Sequence, residues 1–277
     1  MTWTGRETVL SADGTKIDLR FLGSGPGLIV VGGALQSAED YLLLAQTLSA
    51  SFTVYVPNRR GRGGSGPHGA DYSLERERED LLAVQAAAAA TVVFGHSYGG
   101  LVVLHTLTQP NPFVAASVYE PGVSINKSIP VDWLPNYRAA LAKGNRYAAF
   151  AHFIQGNPQA PPIARIMPLW YLSVAMRAMP GFDEHIGAHL EGNALEHEQV
   201  DRMDGRWEDY RNVTAPIQFL VGARSPRFVS DTAQRLQTLI PKASTHALRG
   251  LGHRAPTSRH AVKVAGATAA FLGHFTA

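Results

Sequence analysis

The sequence predicts an α/β fold in which a mostly parallel sheet carries helices on both faces. Three observations lead there. Short apolar runs alternate along the chain with longer segments of helical pattern, the arrangement of a parallel sheet buried on both sides. One of these runs, "VVFG", passes directly into Gly95-His96-Ser97-Tyr98-Gly99 and then into the helix-compatible "LVVLHTL". The chain has 277 residues, 45% of them hydrophobic, which suits one large domain with a sizeable core.

Taken in order, "ETVLS" and "TKIDLRFLG" flank Ala12-Asp13-Gly14 and read as a hairpin closed by a glycine turn. "LIVVGG" (28–33) and "FTVYVPN" (52–58) are short buried strands, with the helical pattern "SAEDYLLLAQTLSAS" between them. Ser73 is placed to cap the next helix, "LEREREDLLAVQAAAAA", whose charges come first and apolar residues later. "TVVFG" is a strand, "YGGLVVLHTLT" a helix stopped by Pro110, and "VAASVYEP" (114–121) another strand. "APIQFLVG" and "ASTHALRG" follow much later, and a helix is expected over roughly the last 18 residues. Residues 123–212 break the rhythm. They hold Trp133, Tyr137, Phe150, Phe153, Met167, Trp170 and Met176, several prolines and no clear strand, and read as a helical insertion over the C-terminal edge of the sheet.

Composition removes several classes of function. Lys and Arg total 25 against 22 Asp and Glu, a formal charge of +3, and so small an excess on a long chain is no nucleic-acid footprint. The one dense basic cluster, "NRRGRGGSG" (58–66), is glycine-rich and without aromatics and reads as a turn, with Arg59, Arg60 and Arg62 bonding loop carbonyls or carboxylates. No cysteine is present, so disulfides, a cysteine nucleophile and thiolate-held metal are excluded. The N-terminus lacks an apolar signal region, and no apolar run approaches the length of a membrane span. A cytoplasmic protein is expected, with no nucleic acid, membrane, metal or cofactor among its partners; self-association is left open. His185 and His189 stand four apart with His197 further on, but the His-Glu-x-x-His pattern of a helical zinc site does not occur.

Gly-x-Ser-x-Gly between a strand and a helix is a pattern with a mechanism. The turn lifts the serine above the sheet edge, small residues let strand and helix approach, and the helix N-terminus favours developing negative charge. A bare serine is a poor nucleophile and needs a base within hydrogen-bond reach. Among the 11 histidines, His253 in "LRGLGHRAP" lies on a small-residue loop directly after the last strand. His246 lies inside that strand, and His260 and His274 fall on the final helix.

With "GHSYGG", "GLGH", "NRRGRGGSG", "DYSLEREREDL" and "VYEP" in these positions, the chain resembles α/β-hydrolase-fold serine hydrolases of the lid-bearing esterase, lipase and haloperoxidase-like group. The resemblance covers nearly the whole chain and is weakest in residues 123–212. It implies an eight-stranded sheet, a core of residues 1–122 and 213–277, and a helical lid of residues 123–212. It also implies an oxyanion hole made by the backbone N–H of Tyr98, after the nucleophile, and of Ala34 in the loop Gly32-Gly33-Ala34-Leu35, where the family's usual histidine is replaced.

The acid departs from the family's common pattern. Many members place an aspartate after the seventh strand, where this chain has Gly222-Ala223-Arg224-Ser225-Pro226, and the first carboxylate beyond, Asp231, falls in a helix. The sixth strand ends in Tyr119-Glu120-Pro121, a position at which haloalkane dehalogenases and some lipases carry their acid. Glu120 is therefore the expected partner of His253, with binding of loop amides alone as the plainer role. The implied activity is hydrolysis of a carboxylic ester or related acyl bond by Ser97, His253 and Glu120 without a cofactor. The insertion's aromatics and methionines suggest an apolar or aromatic small molecule, with Leu35, Trp133 and Trp170 as pocket candidates. The same triad also serves thioesterases, lactonases, amidases and carbon–carbon hydrolases. A lyase or cyclase using it for proton transfer, and a ligand-binding protein without catalysis, are the other readings.

Overall fold

The computed structural model describes residues 2–276. Eight strands form one sheet: β1 (Gly5–Leu10), β2 (Lys16–Leu22), β3 (Gly27–Val31), β4 (Thr53–Pro57), β5 (Val92–His96), β6 (Ala115–Tyr119), β7 (Ile217–Gly222) and β8 (Ala243–Leu248). Their spatial order is β1-β2-β4-β3-β5-β6-β7-β8. The sheet is mixed: β1 and β2 form the expected hairpin, β2 pairs antiparallel with β4, and every pair from β4 to β8 is parallel.

The central strands are apolar on both faces because both faces are covered. Side chains alternate across the sheet. Ile29, Val31, Val93, Ala116, Val118, Ile217 and Phe219 enter one core, and Leu28, Val30, Val92, Phe94, Ala115, Tyr119 and Leu220 enter the other. The helices between strands are α1 (Leu42–Leu48), α2 (Leu74–Ala88) and α3 (Tyr98–Leu107). The first core is closed by α2 and α3, the second by α1. The helical stretch before β4 begins as a 3₁₀ turn, Ala38–Tyr41, before becoming α1. Ser73 caps α2 as expected, its hydroxyl accepting from the Arg76 amide.

Between β6 and β7 the chain forms α4 (Leu134–Ala142), α5 (Arg146–Gly156), α6 (Pro162–Ile166), α7 (Leu169–Arg177), α8 (Phe182–His185) and α9 (Leu190–Arg202), then a 3₁₀ segment, Asp204–Asn212. This insertion has a small core of its own, with Trp133, Leu134, Tyr137, Ala149, Phe153 and Leu190 buried together, and Leu35 from the loop after β3 packs against it. After β7, α10 (Arg227–Leu239) covers the first core and α11 (Ala261–Leu272) the second. The final helix is shorter than the sequence suggests. It starts after His260, which stands at its N-cap, and His274 belongs to a closing 3₁₀ turn.

Candidate active site

Parallel pairing brings three strand ends together. His96 of β5 is in register with Tyr119 of β6, and Tyr119 with Leu220 of β7, so Ser97, Glu120 and the loop after Gly222 emerge side by side. The Ser97 amide donates to the Tyr119 carbonyl at 3.1 Å and the Glu120 amide to the Leu220 carbonyl at 3.0 Å. Both residues then leave the extended conformation, with φ of 53° at Ser97 and 45° at Glu120; Leu35, in the loop after β3, has φ of 60°. Positive φ is costly for side chains of this kind and persists where surrounding structure over-determines it. At the serine the glycines allow it: a Cβ on Gly99 would lie 2.2 Å from the Val31 carbonyl oxygen. The same holds across the loop after β3, where a Cβ on Gly33 would lie 3.0 Å from that of Ser97.

The side chains form a continuous relay. His253 Nε2 lies 3.0 Å from Ser97 Oγ, and His253 Nδ1 lies 2.8 Å from Glu120 Oε2. A carboxylate oxygen only accepts, so Nδ1 carries the proton and Nε2 is free to accept from the serine hydroxyl. The other oxygen of Glu120 is also occupied, accepting from the Gly222 amide at 2.7 Å and from the Ser225 hydroxyl at 2.5 Å. Glu120 is fully buried, while the His253 side chain is 21% exposed. Asp231, the alternative carboxylate, lies on α10 beside Arg227 with half of its side chain exposed.

Two supports were not read from the sequence. Tyr119 donates its hydroxyl proton to the Gly252 carbonyl at 2.9 Å, and His96 Nε2 donates to the His253 carbonyl at 3.0 Å. His96 Nδ1 lies 2.7 Å from the Tyr41 hydroxyl, which also contacts Gln36 Oε1 and whose oxygen accepts the Gly33 amide at 2.8 Å. The loop after β3 and the loop carrying His253 are thus joined through a buried histidine. Burial, and then the nearby His253 ring, hold the His96 imidazole well below the ordinary histidine range, which favours its neutral form. Ser225 and Tyr41 carried no local signal, since a hydroxyl in a loop or helix is compatible with solvent exposure.

Ala34 stands in the loop after β3, next to Gly33, and Tyr98 directly follows Ser97. Among the described residues neither backbone N–H has an acceptor, whereas the neighbouring Gly33 and Gly100 amides do. Of the pocket candidates, Leu35 lies between the Ala34 turn and the insertion core. Trp133 is 7% exposed and packs edge-on against Tyr137, Phe153 and His197 at 5.0–5.1 Å, its indole N–H donating to the Pro130 carbonyl. Trp170 stands 67% exposed on α7, touching Tyr171. His185, His189 and His197 do not converge: His189 and His197 turn Nδ1 onto the carbonyls of His185 and Asn193.

Each of the three clustered arginines is ion-paired. Arg60 pairs with Asp80 and Asp13, tying the loop after β4 to α2 and to the first hairpin. Arg59 pairs with Glu77 of α2 and Glu196 of α9, and Arg62 with Glu196. Burial raises the Glu196 carboxyl, but Arg59 and Arg62 outweigh it and hold the group below the usual glutamate range, so this buried carboxylate is ionised. No helix among the described residues is long and apolar enough to cross a membrane.

Comparison with known proteins agrees with the fold. The model of the Alpha/beta hydrolase family matches residues 28–267. The chain is similar to an alpha/beta hydrolase of known structure from Sphaerobacter thermophilus, with 30% identity, 96% of this chain and 100% of that one covered, and a TM-score of 0.83. It is also similar in fold to an esterase from a Rhodococcus species, at 21% identity over 97% of this chain and 98% of that one, with a TM-score of 0.71. An enol-lactonase from Burkholderia xenovorans gives 17% identity, 96% and 100% coverage and a TM-score of 0.74. An uncharacterized protein of Mycobacterium tuberculosis is 33% identical over 94 residues, a stretch that spans 33% of this chain and 27% of that protein.

Proposed function

The chain belongs to the α/β-hydrolase family and is a hydrolase, and from that premise we propose that it is a serine hydrolase cleaving a carboxylic ester or related acyl bond through an acyl-enzyme. The observation that carries this reading is the unbroken sequence of contacts from Ser97 Oγ to His253 Nε2, and from His253 Nδ1 to Glu120 Oε2. In the first half-reaction His253 takes the hydroxyl proton at Nε2 as Ser97 Oγ attacks the carbonyl carbon. Glu120 holds the imidazole in the productive tautomer and stabilises the imidazolium that forms. The oxyanion is received by the Ala34 and Tyr98 amides, each worth about 3 kcal/mol to a preorganised site. Collapse releases the alcohol, protonated from His253 Nε2. Water then enters and gives a proton to the same nitrogen as its oxygen attacks the acyl carbon; the second collapse breaks the bond to Ser97, whose Oγ takes the proton back from His253 Nε2, and the acid is freed.

Residues 123–212 act in this reading as a lid, and Leu35, at the junction of the Ala34 turn and the insertion core, is the pocket residue best supported. An apolar acyl or aromatic group fits that surrounding. The test is labelling with a fluorophosphonate, followed by a panel of activated esters of rising chain length. One adduct, mapped to Ser97, with turnover of at least part of the panel is the expected result. Failure of the folded protein to react, or an adduct on another serine, would overturn the assignment.

A further inference from the structure

We propose that Arg59 is the positioning residue of the oxyanion hole, and that Glu196 ties its setting to the helical insertion. The inference rests on the serine-hydrolase reading above. Arg59 is 4% exposed and reaches both sides of the hole. Its Nε donates to the Gly32 carbonyl and its Nη2 to the Gly33 carbonyl, each at 2.9 Å. Its Cζ lies 4.8 Å above the centre of the Tyr98 ring, within cation–π range.

The consequence follows from the planarity of the peptide group. Across a trans peptide the N–H points opposite to the C=O, so a guanidinium that fixes the Gly33 carbonyl also fixes the direction of the Ala34 N–H. The preceding peptide is held at both ends, its carbonyl by Arg59 and its Gly33 N–H by Tyr41. The Gly33–Ala34 peptide is held at its carbonyl only, which leaves the Ala34 N–H for the oxyanion. A cation on the carbonyl oxygen also polarises the peptide and strengthens its N–H as a donor. A lysine cannot reproduce this, because two carbonyls and two carboxylates are met by one planar fork.

The fork is itself held from two directions. Glu77 of α2 accepts from Nη1 at 2.7 Å, and Glu196 of α9 lies 2.8 Å from Nη2. Glu196 is fully buried and also receives Arg62. The insertion therefore contributes a charge to the machinery as well as covering it.

Turnover of an ester and of the matching thionoester, in which sulfur replaces the carbonyl oxygen, reads the hole directly. A sulfur anion is a poorer hydrogen-bond acceptor, so a working hole prefers the ester. Turnover is counted per site titrated with phosphonate. Arg59→Lys is expected to lower kcat for the ester by about 10- to 100-fold, a part of the 10²–10³ that loss of a donor costs. KM should stay within about twofold and the ester-to-thionoester ratio should fall roughly tenfold. Glu196→Gln should move the ratio in the same direction by about threefold, and it carries the test where Arg59→Lys does not fold. A purely structural role changes the number of titratable sites and leaves the ratio alone; an unmoved ratio in the folded variants overturns the proposal. If the wild type does not prefer the ester, or is not labelled at Ser97, the serine-hydrolase reading fails as well. A wild type that prefers the ester, with an unmoved ratio in the variants, removes only the role of Arg59.

Discussion

At the C-terminal ends of the strands, three non-glycine residues hold positive φ, Leu35, Ser97 and Glu120, and buried ions and hydrogen bonds fasten the side chains around them. In the insertion, Ile163, Ile166, Trp170 and Val174 of α6 and α7 stand largely in solvent, and the packed part is a small aromatic cluster around Trp133. On the proposed serine-hydrolase reading, strain at the strand ends fits a site whose reacting groups must be held before substrate arrives, within fractions of an ångström. On the same reading, a surface that only has to admit a substrate can tolerate loose packing. Glu196 crosses between the two regimes: it belongs to an insertion helix yet is fixed by two arginines of the sheet edge.

The largest effect expected at the rigid side is that of Ser97→Ala. It should lower kcat by about 10⁴ or more, as loss of a triad nucleophile does, with the fold intact by circular dichroism. Near-normal turnover of an activated ester would break the comparison at its root. Next comes Glu120→Gln, expected to lower kcat by about 10²–10⁴. The amide oxygen can still accept from Gly222 and Ser225, but the amide nitrogen then faces His253 Nδ1 and selects the wrong tautomer. Full activity in this variant would make Glu120 a loop anchor only.

The insertion supplies its own contrast. Trp133→Ala should destabilise by about 3–5 kcal/mol, the usual cost of deleting a buried large aromatic, read as a drop in denaturation midpoint. The His96 device predicts a pH dependence of intermediate size. Its folded-state value lies below its unfolded one, so the unfolded chain binds the extra proton and stability falls as pH drops below about 6.5. This one group contributes up to about 1.4 kcal/mol per pH unit. His68, His105, His189 and His197, also lowered by burial, add to the same trend. His96→Gln should flatten the midpoint-against-pH curve between pH values of about 6.5 and 5; an unchanged slope would mean that the buried ring does not titrate on unfolding. The smallest effect is expected at Trp170→Ala, within about 0.5 kcal/mol of wild type. If it changes chain-length preference without moving the midpoint, the exposed face of α7 belongs to substrate entry.

Much of the architecture was legible because it is written in local patterns. Short apolar runs marked the strands, Ser73 marked a helix start, and the Gly-x-Ser-x-Gly turn marked the strained corner. Boundaries were less legible. The last helix is cut to Ala261–Leu272, since His260 and His274 have no strong helical preference and packing decides where such an end frays. Trp133 and Trp170 looked alike in the sequence, as bulky residues in one helical region, and only burial separates them.

The sequence by itself determined where the serine stands, which loop offers its histidine, and that the loop directly after β7 carries no aspartate. Each of these depends on neighbours a few residues apart. Whether Glu120 meets that histidine depends on groups 133 residues apart in the chain, and the carboxylate that steadies Arg62 lies 134 residues away. Such pairings are decided by strand order, register and the lie of α9 against the sheet. They are invisible to any window along the sequence, because a charge is held in the interior by whichever opposite charge the folded chain brings within about 3 Å, wherever in the chain it began.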